Sequence, residues 1–434
     1  MYVGKVAPVK VPNEKSITIV GKGYVYYANT SSYDGEKKHS VDNRICIGKL
    51  VEGSKDMMFP NDKYFDLFPV ASNYSEERSP KFGSVKIHNF RGLQNLYVEN
   101  MRPVVLVSGK NNIGKTSLLE ALFLLASHGN NASLQSLNIF RNKMFSFTNT
   151  EVWEPLFYKR DPSNTISITS VYKNQNVSLE LSKDDEYIPN SNARISQQAL
   201  EEIRLAVKDS YTIKGIFKQD DYVEMFHVSA SGKAILHDNE AISGKVSDVE
   251  ALKIRFISDA IIRSDASIAD LMSRVELDDK KQDVVEILKM IDPTISDITT
   301  LSFGGVPSLY LRNKDGLLPI QFAGDGINKL IYIVLSILQS KDGAVLIDEV
   351  DTGFHYTMLD NLWRTIGSLS IKCNCQVICT THSIEAISSS ISGLRSMEGD
   401  FCYYRLGNDK DGLKAYRYSY DLLRSALNSD LEVR

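Results

Sequence analysis

The chain has 434 residues, 24% of them charged, with a formal net charge of -4, a length that supports two or three domains around a sizeable core. No overall basic excess advertises a nucleic-acid partner, which leaves only a local patch for that role. No apolar run approaches the ~20 residues of a membrane-spanning helix, and the N-terminus MYVGKVAPVKVPNEKS lacks the apolar core of a signal peptide, so a cytoplasmic protein without a membrane partner is expected.

In chain order, residues 1–75 alternate aromatic and β-branched residues between Gly, Asn and Asp (SITIVGKGYVYYANTSSYDGEKK, then NRICIGKLVEGSKDMMFPNDKYFDLF). This is the pattern of a small antiparallel sheet built of short strands. Residues 76–82 end a polar stretch with a proline and read as a linker. The segment 83–126 starts with GSVKIHNFRGLQNLYVEN, two strands around a turn at Arg91 and Gly92. It continues through the apolar run Val104 to Ser108 into GKNNIGKT and the helical pattern SLLEALFLLA, which Ser117 opens.

From 127 to 300 the motifs stop, and the composition suggests an inserted lid or arm lobe. NTISITSVYK with NQNVSLELSKD, and DYVEMFHVSAS with GKAILHD, read as hairpins; ISQQALEEIRLAVKD and KKQDVVEILKMID read as helices, the second stopping before Pro293. No heptad seam is long enough for a coiled-coil arm. Residues 301–434 regain signal with a hairpin in SLYLRNKDGLLPIQF and a helix in AGDGINKLIYIVLSILQ. The strand AVLI then precedes Asp348 and Glu349, and QVICTTHS, a last hairpin (FCYYRLG, LKAYRYS) and the helix YDLLRSALN follow.

The octapeptide Gly109, Lys110, Asn111, Asn112, Ile113, Gly114, Lys115, Thr116 fits the G-x-x-x-x-G-K-[ST] template in its strand–loop–helix context. Backbone N–H groups of such a loop, with the positive end of the next helix, suit a polyphosphate. Lys115 would reach the outer phosphates and Thr116 would hold Mg²⁺. Asp348 and Glu349, at the carboxyl end of an apolar strand, would hold Mg²⁺ and polarise the attacking water respectively. His382, ending the next strand, is placed beside the phosphates in a parallel sheet of this kind. Cys46, Cys373, Cys375, Cys379 and Cys402 form no metal template and read as reduced structural thiols.

Taken in order, FRG, GKNNIGKT, GDGINK, LIDEVDTGFH and TTHS resemble the ABC-type AAA ATPases of the OLD-like and RecF-like kind, and more distantly the SMC heads, over about residues 83 to 420. The resemblance implies an α/β ATPase head, a mixed sheet with a phosphate loop and an inserted helical and β lobe, that binds ATP and Mg²⁺. Arg91 then approaches the nucleotide. Gly324, Asp325, Gly326, Asn328 and Lys329 form the signature region, Asp351 the dimer-contact loop, and His382 the switch histidine beside catalytic Glu349 and Lys115. The glycines and helix start of the signature make a second anion site, too far along the sheet for the chain's own phosphates. In the resembling family it closes over a neighbour's ATP, so a head-to-tail dimer or higher oligomer is expected.

A glutamine of the Q-loop type is not assigned among Gln175, Gln197 and Gln219. No acidic cluster of a Toprim nuclease follows Ser383, so no nuclease activity is expected from this chain. The succession YVY, SSYDGEKK, NRICIGKL resembles the start of IS4-like DDE transposases over a short stretch only, and reads as a fused module. Three functions follow: an ATPase whose assembly controls a separately encoded effector in anti-phage defence or a mobile-element system; a DNA-binding repair or recombination ATPase of the RecF type; and a nucleotide-bound scaffold, against which the intact Glu349 argues.

Overall fold

The computed structural model describes residues 9–11, 17–21, 23–34, 39–51, 57–60, 80–129, 131–141, 153–172, 175–187, 211–230, 235–243, 252–262, 265–303, 305–410, 412–429 and 431–434. The chain divides into two compact units, Met1–Ser75 with Arg395–Met397, and Glu76–Leu394 with Glu398–Arg434.

The first unit is an antiparallel sheet of β1 (Val9–Lys10), β2 (Ile17–Val20), β3 (Tyr24–Asp34), β4 (His39–Leu50) and β5 (Met57–Pro60), in the order β1-β5-β4-β3-β2. Two of its strands are not short: β3 and β4 run 11 and 12 residues. Val25, Ile47 and Met58 are its buried centre.

In the second unit, β6 (Val85–Phe90), β7 (Leu93–Val98) and β8 (Val104–Gly109) lead into helices α1 (Lys115–Ala126) and α2 (Asn131–Phe140). Strands β9 (Ile166–Tyr172), β10 (Gln175–Lys183), β11 (Tyr211–Gln219), β12 (Tyr222–Ala230), β13 (Ile235–Ser243) and β14 (Ile254–Ile257) follow. Next come α3 (Asp259–Ile262), α4 (Asp265–Leu277), α5 (Lys281–Ile291), β15 (Asp297–Phe303), β16 (Val306–Asn313) and β17 (Gly316–Pro319). The chain closes with α6 (Asp325–Gln339), β18 (Ala344–Ile347), α7 (Leu359–Lys372), β19 (Gln376–Thr380), α8 (Ile384–Gly393), β20 (Phe401–Asp409), β21 (Gly412–Tyr418) and α9 (Tyr420–Asn428).

Two large sheets sandwich α1. One has the order β14-β18-β19-β8-β20-β21, parallel except for its last pair. Its central strands VVLVSG, AVLI and QVICT are buried at every position, as strands covered on both faces must be. The other is antiparallel, β13-β12-β11-β10-β9-β6-β7, and its strand β9 alternates along its length, with one face on the core. Helix α1 packs on β6, β9 and β10 on one side and on β8, β14, β18 and β19 on the other. That explains why SLLEALFLLA is apolar all round rather than striped. A separate three-stranded sheet, β15-β16-β17, carries the chain to α6.

From their composition, the strands of 127–300 are expected in a lobe of their own. The hydrogen bonds instead run from β9 directly to β6, so these strands extend the sheet that the segment before the phosphate loop begins. The strand β11, unread in the sequence, makes this possible by bridging the two expected hairpins. Its centre is Gly215, above which the ring of Phe226 lies where a Cβ would stand, at 2.0 Å; a glycine in mid-strand hides the strand from propensity reading. The expected helix 195–209 lies outside the described residues. Within the linker reading, Lys81 and Phe82 are buried, and Phe82 exchanges backbone hydrogen bonds with the Gln376 amide at 2.8 and 3.1 Å; these residues belong to the fold. Among the described residues no helix is long and apolar enough to cross a membrane.

Candidate active site

The loop after β8 lies at the carboxyl end of the parallel sheet, where α/β folds collect ligands. Lys110, Asn111 and Asn112 are exposed at its tip, while Ile113, Gly114, Lys115 and Thr116 are half-buried and Ser117 is buried. Gly114 has φ 108°, and a Cβ on it would stand 2.4 Å from Leu93 Cδ2. The loop therefore needs a glycine there twice over, for its left-handed backbone and for the close approach of the β6–β7 hairpin. Lys115 Nζ donates to the carbonyls of Gly109 and Lys110 at 2.8 and 3.1 Å. Burial lowers its pKa, opposed by Asp348 and Glu349, which face it electrostatically.

The acid pair is tied to this loop by hydroxyls. Thr116 Oγ1 donates to Asp348 Oδ2 at 2.9 Å. Thr380, the last residue of β19, donates from Oγ1 to Asp348 Oδ1 at 2.6 Å and accepts the Glu349 N–H at 2.9 Å. One hydroxyl can do both, having one proton and two lone pairs. Thr380 is a site residue that sequence reading missed; the available signal was its place one residue before Thr381, at the end of the strand between β8 and β18. Glu349 is exposed and Asp348 half-buried, so one acid faces outward while the other is held. Thr116 and Asp348 offer a hydroxyl and a carboxylate oxygen, the donor set of a hard cation such as Mg²⁺.

His382 is exposed directly after β19, beside the strands that carry the loop and the acids. Asp351 accepts from Thr381 Oγ1 at 2.5 Å. The start of α6 is open, with Gly324 and Asp325 exposed and Gly326 and Asn328 half-buried. Among the described residues no hydrogen bond joins Gly324, Asp325 or Gly326 to the phosphate loop.

Two expected nucleotide contacts have partners within the chain. The Arg91 side chain is 9% exposed, with Nε 2.6 Å from Glu120 Oε2. Burial lowers its pKa to about 10 against the pull of Glu120. Glu120, fully buried on α1, also takes a bidentate pair from Arg141, Nε at 2.7 Å and Nη2 at 2.7 Å, and Arg141 lies within 3.4 Å of Ser117 Oγ. Arg141 carries no motif and was missed. Lys329 is 3% exposed and donates to Asp259 Oδ1 at 3.1 Å and to the Glu349 carbonyl at 2.6 Å, so it reaches the chain's own acid loop. Gln219 donates to Gln175 at 2.7 Å, which occupies both in their sheet; Gln197 lies outside the described residues.

Residues 104–388 match the family described as "AAA domain, putative AbiEii toxin, Type IV TA system". The chain belongs to that family. Its match takes in the phosphate loop, the start of α6, the acid pair and His382. Among curated relatives, the chain is 26% identical over 342 residues to an "ATP/GTP phosphatase" of Helicobacter pylori, covering 74% of this chain and 90% of that one. A stretch of 44 residues is 41% identical to the DNA replication and repair protein RecF of Acholeplasma laidlawii, 10% of this chain and 13% of that protein. Among solved structures, an SMC head bound to the C-terminal winged-helix domain of ScpA matches with TM-score 0.44 and 10% identity, over 79% of this chain and 99% of that one.

Proposed function

We propose that this chain binds ATP with Mg²⁺ and hydrolyses the terminal phosphate, in a composite site completed by a second copy. The supporting observation is the hydroxyl-linked chain Thr116–Asp348–Thr380–Glu349, which orients one acid toward the phosphate loop and leaves the other exposed. Loop N–H groups, Lys115 and the start of α1 bind the phosphates. Thr116 and Asp348 hold Mg²⁺, which supplies charge neutralisation on the phosphate oxygens. Glu349 orients and deprotonates the attacking water, and His382 stands by the leaving phosphate.

The open start of α6, with Gly324 and Asp325, then serves the partner's nucleotide, and Asp351 belongs to the loop facing that partner. ATP-dependent assembly of this kind would regulate a separately encoded effector in anti-phage defence or a mobile-element system, as the toxin–antitoxin description of the family suggests. The OLD-like kinship rests on the same motif set. The sequence resemblance of residues 1–75 to the start of IS4-like transposases fits an added recognition module.

The test is phosphate release and light scattering on purified protein with Mg-ATP. Wild type should turn over ATP, and Glu349→Gln should stop turnover while accumulating ATP-bound oligomers. A monomer under every condition would sink the assembly reading. The RecF-like stretch favours a second reading, a DNA-binding repair ATPase; salt-dependent DNA binding that disappears on removing residues 1–75 would support it.

A further inference from the structure

We infer that Lys329 is a positioning residue that transmits the placement of the α6 start to Glu349, an inference that rests on reading Glu349 as the hydrolytic acid. The side chain of Lys329 is 3% exposed, and its shortest bond, 2.6 Å, goes to a backbone carbonyl, that of Glu349, rather than to its carboxylate partner Asp259 at 3.1 Å. A buried ammonium costs desolvation that a structural role would meet with carboxylates. Here Asp259 supplies one carboxylate, and the shortest contact goes to the peptide that follows the proposed water-orienting acid.

That peptide needs holding. Glu349 has φ 48°, a left-handed backbone that a glutamate keeps only when its surroundings impose it. Thr380 secures the peptide before Glu349 through its N–H at 2.9 Å, and Lys329 adds a bond to the carbonyl of the peptide after it. The same carbonyl also accepts the Thr352 N–H at 3.0 Å, the Val350 N–H donates to the Thr380 carbonyl at 2.9 Å, and Thr352 Oγ1 donates to the Glu349 carboxylate at 3.3 Å; among these bonds the one from Lys329 is the one that comes from α6.

The α6 bond is the one that can carry a signal. Lys329 sits one turn into α6, whose first residues Gly324 and Asp325 are exposed. A Cβ on Gly326 would stand 2.6 Å from the Gly353 carbonyl, so the helix start and the loop after the acid pair touch backbone to backbone, with no side chain between them to absorb a shift. Beside them a cavity of about 360 Å³, lined by Asp259, Gln321, Asp325, Asn328, Lys329 and Thr352, leaves room for the helix start to move. Asn328 Oδ1 is buried there without a hydrogen-bond partner among the described residues. A ligand engaging the α6 start therefore displaces a rigid turn that ends on the carbonyl of Glu349, and hydrolysis is coupled within one chain to occupancy of its signature face.

The experiment uses the full chain with Mg-ATP and compares wild type, Lys329→Met and Glu349→Gln. Lys329→Met keeps the apolar stem and removes the donor; kcat should fall at least tenfold while KM and equilibrium ATP binding stay within twofold, with an unchanged far-UV circular dichroism spectrum. If the methionine variant does not fold, Lys329→Gln, whose shorter amide does not span to the carbonyl, carries the test with the same expectation. A variant that folds and turns over like wild type, or that loses ATP binding in proportion to kcat, overturns the inference while a Glu349→Gln loss leaves the ATPase reading standing. Absence of turnover in wild type would instead overturn that reading, and this inference with it.

Discussion

Thr116 Oγ1 donates to Asp348 Oδ2 across 2.9 Å although the two are 232 residues apart in sequence. The bond spans β19, the strand that lies between β8 and β18 in the sheet, and it makes the phosphate loop and the acid pair one structure. What keeps the acid in register is Thr380, which donates to Asp348 from the intervening strand.

Replacing Thr380 with Val keeps the shape of the side chain and removes both of its bonds. The buried acceptor and N–H left behind cost about 1–3 kcal/mol, and misplacement of both acids should lower kcat by about one to two decades. Phosphate release by Thr380→Val at saturating ATP reads this; a rate equal to wild type would mean that the hydroxyl positions nothing.

Gly114→Ala meets both a φ of 108° and Leu93 Cδ2 at 2.4 Å. Fluorescent ATP-analogue binding should be abolished, and shortening the neighbour in Leu93→Ala/Gly114→Ala should relieve the clash without restoring affinity, because the backbone demand persists. Wild-type affinity in the single variant would place the phosphate elsewhere.

Glu120→Gln leaves Arg91, 9% exposed, without its carboxylate. Removing one partner of a buried pair costs about 3–5 kcal/mol, and Arg141, being partly exposed, adds little to that. Urea denaturation should show a lower midpoint with unchanged slope; an unchanged midpoint would show that the pair contributes nothing net.

His128 stacks on Phe217 at 3.9 Å, and burial lowers its pKa from 6.5, with Glu224 opposing. The folded state disfavours the charged ring relative to the unfolded chain, whose histidine titrates near 6.5. Its contribution is therefore complete above that value and is lost progressively as pH falls below it and through the lowered folded value. His128→Asn, which tolerates the left-handed φ of 57° there, should lose less melting temperature than wild type between pH 7.5 and 5.5, probed by differential scanning calorimetry at about those two values. Parallel losses in the two proteins would assign the acid sensitivity to other groups.

The sequence by itself determined the local elements whose residues answer to the backbone alone. These are the strand–loop–helix around GKNNIGKT, the apolar strands before Asp348 and Thr381, the turn at Arg91 and Gly92, and the hairpins β9–β10 and β12–β13. Each is legible because glycine freedom, β-branching and strand or helix period act within a few residues. Only the tertiary structure decided which strands share a sheet, since β9 joins β6 by hydrogen bonds that no local pattern encodes. It also decided that Arg91 and Lys329, charged residues in recognisable motifs, point inward to Glu120 and to the Glu349 carbonyl. A lysine or arginine in a sequence carries a charge but no direction; direction comes from the partner the fold brings within reach, and Glu120, Asp259 and the Glu349 carbonyl reach these residues only when α1, α6 and the parallel sheet are packed together.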